Sequence, residues 1–324
     1  MRVLVGEKGQ KGRLTGGLSR ELKAGSPCRK GTGFERLAQE AESPNSYGMS
    51  PLPSGKGTSR GEVESGGMAP EEELARSGLP SCDAVVNLAG ENILNPLQRW
   101  NEAFQKEVLS SRLETTQMLA KAITKAPQAP QAWIVVTGVA YYQPSLTAEY
   151  DEDSPGGDFD FFSKLVTRWE AVARLPGDST RQVVVRSGVV LGRGGGAIGH
   201  MLLPFRLGLG GPIGSGRQFF PWIHIRDLTG ILTHALEANH VQGVLNGVTP
   251  ASTTTNAEFA QALGAALGRP AFIPVPRSVV QAVLGQERAI MLLEGQKVVP
   301  RRTLASGYQY FFPDLEAALK EVVA

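Results

Sequence analysis

Two hydroxyl-bearing side-chain types follow an apolar run at Thr137-Gly-Val-Ala-Tyr141-Tyr142. At the carboxyl end of a buried strand, the threonine hydroxyl could hydrogen-bond a substrate carbonyl and one of the two tyrosines could give up a proton. The same residues also suit a plain structural role, with Thr137 satisfying its own turn and the tyrosines packing under a loop. Further on, Arg186-Ser-Gly-Val-Val-Leu-Gly192 ends another strand, and the glycines from 192 to 196 would let backbone approach a ligand closely. Residues 217–227 interleave aromatics with polar groups around Phe219, Trp222 and His224, and a histidine there is either a chemical group or a hydrogen-bonded packing residue.

The other chemistry-bearing pattern is glycine. Gly6, Gly9 and Gly12 directly follow an apolar start and have the spacing of a phosphate-binding turn, although Glu7 would then lie beside the phosphates. Asn87-Leu88-Ala89-Gly90 ends a second apolar run with small residues, which suits either a ligand lying across strand ends or an ordinary tight turn. Glu107, Ser111 and Arg112 fall within about one turn on the helix that follows, as they also would in solvated face pairing.

Positioning these residues takes strands at 1–6, 83–90, 132–136 and 182–191, alternating with helices that start at Asn95-Pro96 and run to about 124, and over 158–173. That alternation predicts a doubly wound, Rossmann-like α/β fold with a parallel sheet. Beyond Gly192 a Gly-rich stretch leads into an apolar segment at 218–225 and helices near 227–238, 256–268, 276–284 and 313–323. The expected organisation is a nucleotide-binding part from 1–6 and 71–191, an insert at 7–70, and a smaller C-terminal substrate lobe over 192–324. The insert carries 13 of the chain's 39 glycines, one valine and no isoleucine. It lacks the residues that fill a pleated surface and is expected to be largely disordered.

Composition narrows the chemistry. The 324 residues are 41% hydrophobic and 20% charged with a net charge of +2, which makes a globular chain and does not call for nucleic acid or membrane as partner. The two cysteines make no disulfide framework, and the four histidines show no metal-ligand spacing. With no signal-like apolar segment near the start, a cytoplasmic, reducing location is the expectation.

Together the motifs resemble the extended short-chain dehydrogenases/reductases, and within them the small epimerase family. The resemblance rests on Asn87-Leu-Ala-Gly-Glu-Asn, Arg99-Trp100, Ser111-Arg112 with Thr115, Arg186-Ser-Gly-Val-Val-Leu-Gly, Gly214-Ser-Gly-Arg-Gln with Trp222-Ile-His, Asn246-Gly-Val-Thr-Pro and Gly295-Gln-Lys-Val-Val-Pro. It implies NADP as cofactor, with Gly6 at the first turn, Leu88, Ala89 and Gly90 on the adenosine side, Glu107 and Arg112 nearby, and Arg186, Gly188 and Val189 toward the nicotinamide. A small carbonyl or hydroxyl substrate would lie against Thr137, Tyr141 or Tyr142 and the segment from Phe219 through Trp222 to His224. Two departures stand out. The Tyr-x-x-x-Lys pair usual in that superfamily reads Phe162 and Val166 here, and residues 7–70 stand where the Gly-rich loop, first helix and second strand belong. The expectation is therefore an NADP-dependent oxidoreductase or epimerase-like protein with impaired cofactor binding, as an alternative isoform would have. A non-catalytic nucleotide-binding or interaction module is the second reading.

Overall fold

A computed structural model describes the backbone of residues 3–6, together with residues 74, 76–95, 98–193, 195–250 and 253–324. The disorder expected over 7–70, and with it the impaired cofactor binding, concerns residues outside the described ones.

In chain order the elements are β1 (Val3–Gly6), β2 (Ala84–Asn87), α1 (Glu102–Lys125), β3 (Ala132–Gly138), a 3₁₀ turn at Val139–Tyr141, β4 (Glu149–Tyr150), α2 (Phe161–Ala173), β5 (Arg181–Ser187), β6 (Val189–Leu191), α3 (Gly196–Arg206), β7 (Trp222–His224) and α4 (Ile225–Glu237). They continue with β8 (Gly243–Gly247), α5 (Asn256–Ala266), α6 (Arg277–Leu284), α7 (Gln286–Leu293), β9 (Lys297–Val298), α8 (Arg301–Ala305) and α9 (Leu315–Val323). Five strands pair in the order β1-β2-β3-β5-β8, all parallel. Alternate residues of each strand face opposite layers. Val86, Ile134, Val185 and Leu245 meet Ile231, Leu232 and Ala235 of α4 on one face. Val85, Trp133 and Val135 meet α1 and α2 on the other, against Leu119, Ile123 and Trp169. At roughly 1.5–3 kcal/mol for each fully buried large aliphatic side chain, these two layers hold the sheet between helices. This is the doubly wound, Rossmann-like arrangement expected. β8 and α4 return to it from beyond position 192, so the sheet draws on both halves of the sequence.

Three local expectations are corrected. The near-continuous apolar run at 182–191 is two strands, broken at Gly188. Successive amides there change partners: the Gly188 amide donates to the Gly247 carbonyl (3.0 Å), while the Val189 amide donates to the Pro221 carbonyl (2.8 Å). β6 then pairs with β7 in a separate small sheet. A Cβ at position 188 would lie 2.6 Å from the Pro221 oxygen, so the crossover requires glycine. Second, the long helix starts at Glu102 and not at Asn95-Pro96, capped by Asn101, whose side chain accepts from the Phe104 amide at 2.9 Å. Third, the Gly-rich stretch after Gly192 contains a helix, α3. Ile198 and Phe205 are buried there with Leu191, Trp222, Phe259 and Leu319, and that packing outweighs the glycines and Pro204.

Among the described residues no helix is long and apolar enough to cross a membrane. Among the same residues no group of three or more His, Cys, Asp or Glu is placed to hold a metal ion.

Candidate functional site

The register of the sheet sets three side chains in one row. Thr137 of β3 stands opposite Arg186 of β5, and Arg186 opposite Asn246 of β8, near the carboxyl ends of the strands. Parallel α/β sheets bind ligands at this edge. Over the row, α2 contributes Glu170. Its carboxylate takes two hydrogen bonds from Arg186, from Nε and Nη2, both at 2.8 Å. The Thr137 hydroxyl donates to the same carboxylate at 3.2 Å. The Tyr142 hydroxyl donates to Asn246 Oδ1 and accepts from Arg186 Nη1, both at 2.8 Å. Burial works against charge on Arg186, but Glu170 and the Tyr142 hydroxyl hold it above the usual guanidinium range. Burial likewise pushes Tyr142 up to about 12, with Arg186 and Asn246 pulling the other way. Tyr142 thus stays protonated with its hydroxyl fully committed.

Tyr141 is placed differently. Its ring lies against the Arg186 guanidinium, with the guanidinium carbon 3.4 Å from the ring centroid, and stands edge-on to Tyr142. Gly156 lies so close that a Cβ there would come within 2.3 Å of the ring. The Tyr141 side chain is only partly buried, and its hydroxyl makes no hydrogen bond with another described residue. Thr137, Tyr141, Tyr142 and Arg186, singled out separately in the sequence, are therefore one cluster. Glu170 and Asn246 organise it; Glu170 is not singled out in the sequence, and Asn246 stands there only within a motif, with no site role. Glu170 carries a signal: it sits on the stripe formed by Phe162, Val166, Trp169 and Ala173, where a carboxylate needs a buried partner.

A second group gathers at the end of β2. Asn87 is buried and donates from Nδ2 to Thr116 Oγ1 (2.8 Å), while its Oδ1 accepts from the Ala89 amide (3.0 Å). Trp169 donates to the same Thr116 oxygen at 2.7 Å. Consecutive residues of α2, Trp169 and Glu170, thus tie the two groups together. Leu88 is exposed and Ala89 buried. The Arg112 guanidinium lies flush on Gly90, where a Cβ would meet Cζ at 2.8 Å, and donates to the Glu91 carbonyl at 2.9 Å. Ser111 is buried and accepts from the Glu91 amide at 3.1 Å. Burial lowers Arg112 to about 10, against the opposing pull of Glu91, which leaves it a cation at neutral pH. Ser111 and Arg112 therefore shape the turn after β2, while Glu107 is partly buried one turn earlier on α1. Gly6 ends β1 beside Asn87.

The expected substrate face is not brought to this cluster. Trp222 is closed off within the C-terminal core and donates to Thr254 (3.2 Å). His224 is equally buried and caps α4, its Nδ1 accepting from the Arg226 amide (3.2 Å) and its Nε2 donating to Glu321 (3.0 Å), with its ring packed on Phe312. Phe219 is partly buried, and its carbonyl abuts Gly295. Trp222 and His224 are thus packing residues that dock α9.

Burial holds the His224 pKa below its usual 6.5, although Glu321 and Asp227 favour its charge and Arg226 opposes it. Below about pH 6.5 the unfolded chain binds a proton that the folded chain does not. Stability present above that pH is then lost as pH falls toward the lower folded pKa. Urea unfolding at pH 7.5 and 5.5 is expected to show this loss, and His224→Gln should reduce it; an equal loss in the variant would refute the assignment.

Fold and site define a Rossmann-like α/β protein whose strand ends form a ligand edge. A family model described as a domain of unknown function (DUF1731) matches residues 275–322. The chain is 85% identical over 253 residues to the epimerase family protein SDR39U1 of Bos taurus, covering 78% of this chain and 86% of that protein. It therefore belongs to the epimerase family of the extended short-chain dehydrogenases/reductases. The crystal structure of human epimerase family protein SDR39U1 (isoform2) with NADPH superposes with a TM-score of 0.77 at 84% identity, over 78% of this chain and 85% of that one. A nucleoside-diphosphate sugar epimerase from Corynebacterium glutamicum shares the fold, with a TM-score of 0.60 at 24% identity over 79% of this chain and 48% of that one.

Proposed function

We propose that this chain binds NADP(H) across the ends of β1, β2, β3 and β5 and acts as an oxidoreductase or epimerase-like enzyme on a small carbonyl or hydroxyl compound. The observation that carries this is the NADPH in the human relative at 84% identity. The local fit agrees with it. Small residues stand at or just beyond the strand ends at Gly6, Ala89-Gly90, Gly138 and Gly188; Gly90 is covered by Arg112 and Gly188 by the Pro221 carbonyl, while Gly138 has room where a side chain would be, so a flat ligand can lie on backbone there. Leu88, Ala89 and Gly90, with Glu107 and Arg112 behind them, take the adenosine side; Arg186, Gly188 and Val189 lie toward the nicotinamide. When bound, the cofactor supplies or accepts a hydride. Tyr141 is the proton donor to the carbonyl oxygen in reduction and takes the proton back in oxidation. Arg186, itself held by Glu170, lies flat against its ring and fixes the ring's position. Thr137 and Tyr142 hold Glu170, Arg186 and Asn246 in place and touch no reacting atom.

Calorimetric titration with NADPH, followed by loss of nicotinamide absorbance over a panel of aldehydes and ketones, tests this. Tyr141→Phe is expected to leave NADPH affinity unchanged and to lower turnover about 10²–10⁴-fold. Binding without turnover on any substrate would favour a non-catalytic nucleotide-binding module, and no binding would overturn the proposal.

A further inference from the structure

Arg288 of α7 is 2% exposed, among the most deeply buried large side chains of the described residues. A buried guanidinium is tolerated only when its donors are used. Here they go to backbone: Nε donates to the Leu284 carbonyl on its own side (3.1 Å), and Nη1 to the carbonyls of Ile93 (3.2 Å) and Asn95 (3.1 Å). The guanidinium also lies 5.7 Å from the Trp100 ring centroid. The neighbouring residue acts on the same loop, since Glu287 Oε2 accepts from Trp100 Nε1 (2.6 Å) and Gln105 Nε2 (2.7 Å). Ile93, Asn95 and Trp100 all lie on the loop between β2 and α1, which begins at Leu88. Arg112 and Ser111 fix that loop at Glu91 from α1. Arg288 and Glu287 fix it further along, from a helix almost 200 positions away in the sequence.

We propose that Arg288 is a positioning residue which, with Glu287, holds the β2–α1 loop from the C-terminal lobe and thereby sets the ligand edge at Leu88–Gly90. This gives the matched segment at 275–322 a role: it supplies the distal hold on the turn that meets the cofactor. The cofactor part of the inference rests on the NADP(H) reading; the hold itself does not.

Amide hydrogen exchange of the full chain without cofactor reads the hold directly. In Arg288→Met, exchange over 88–95 is expected to speed up about tenfold or more, as befits losing hydrogen bonds to a charged donor. Exchange in β3 and β5 should change little. Arg288→Lys keeps the charge but has a single nitrogen where arginine uses Nε for the Leu284 carbonyl and Nη1 for those of Ile93 and Asn95, and should show the same localised change, so the test stands even if the methionine variant folds poorly. Millimolar guanidinium should partly restore protection in an Arg288→Ala variant. NADPH affinity, measured in parallel, should weaken in step with the loop exchange. Unchanged exchange at 88–95, or a uniform rise across the sheet, would overturn the proposal. If the wild type shows no NADPH binding, the cofactor reading fails, while the exchange result still decides the hold.

Discussion

Replacing Glu170 with alanine is expected to cost about 3–5 kcal/mol of folding stability, the range for removing one partner of a buried ion pair. The side chains of Arg186 and Glu170 are 4% and 11% exposed, so water cannot take over the lost hydrogen bonds. The variant would leave the guanidinium with the Tyr142 hydroxyl and the rings of Tyr141 and Tyr142 but no anion, and the Thr137 hydroxyl without its acceptor. Glu170→Gln keeps one acceptor and should lose less. The double variant Glu170→Met with Arg186→Met should lose less than the two single variants added together, because no unpaired charge remains. Urea unfolding of the wild type, the alanine and glutamine variants, the two single methionine variants and the double variant checks this, and a loss below about 1 kcal/mol for the alanine variant would mean the pair is effectively solvated.

Gly295→Ala is expected to destabilise by the upper end of about 1–3 kcal/mol or beyond, the range for forcing atoms into filled space. A Cβ at position 295 would lie 1.9 Å from the Phe219 carbonyl oxygen and 2.9 Å from its carbon. Neither side can retreat easily. Phe219 is flanked by the Phe220 amide bonded to the Thr254 carbonyl (2.8 Å) and by the Asn256 amide bonded to the Gln218 carbonyl (2.9 Å), and the Gly295 carbonyl itself accepts from the Ser145 amide (3.0 Å). Gly199→Ala is the matched control. Its Cβ meets nothing within 4 Å, in the first turn of α3, so it should stabilise by up to about 1 kcal/mol through helix propensity alone. Thermal unfolding should move in opposite directions for the two variants; a Gly295→Ala protein as stable as wild type would show that the Phe219 loop gives way.

How far the sequence reaches depends on whether a feature is local. β2, β3, α2 and α9 are legible because short apolar runs and helical stripes bounded by Gly, Pro and Asp are local signals. The break at Gly188 is not, because valines continue on both sides and only the distant Pro221 carbonyl shows why the strand must change sheets. The start of α1 lies later than the sequence suggests for the same reason: Asn95-Pro96 has the form of a cap, but the cap is Asn101, and Trp100 before it bonds to the distant Glu287. At the site, Thr137, Tyr141, Tyr142 and Arg186 could be named from their place after apolar strands. Their division of labour could not. Which tyrosine is closed and which is open depends on Asn246, brought in by a strand that enters the sheet last, and on Glu170 from the helix layered over the row. Trp222 and His224 misled because aromatic and imidazole groups look alike in sequence whether they face a ligand or the C-terminal helix.

The row Thr137–Arg186–Asn246 has a consequence for how this site can change. Successive side chains of a strand alternate between faces, so one residue inserted or deleted upstream within β3, β5 or β8 turns that member of the row toward the opposite helix layer. Two residues return it to the same face, displaced along the strand. The site therefore has a parity: lengthening by pairs slides its members, whereas any odd change dismantles it, even with every chemical group still present in the chain.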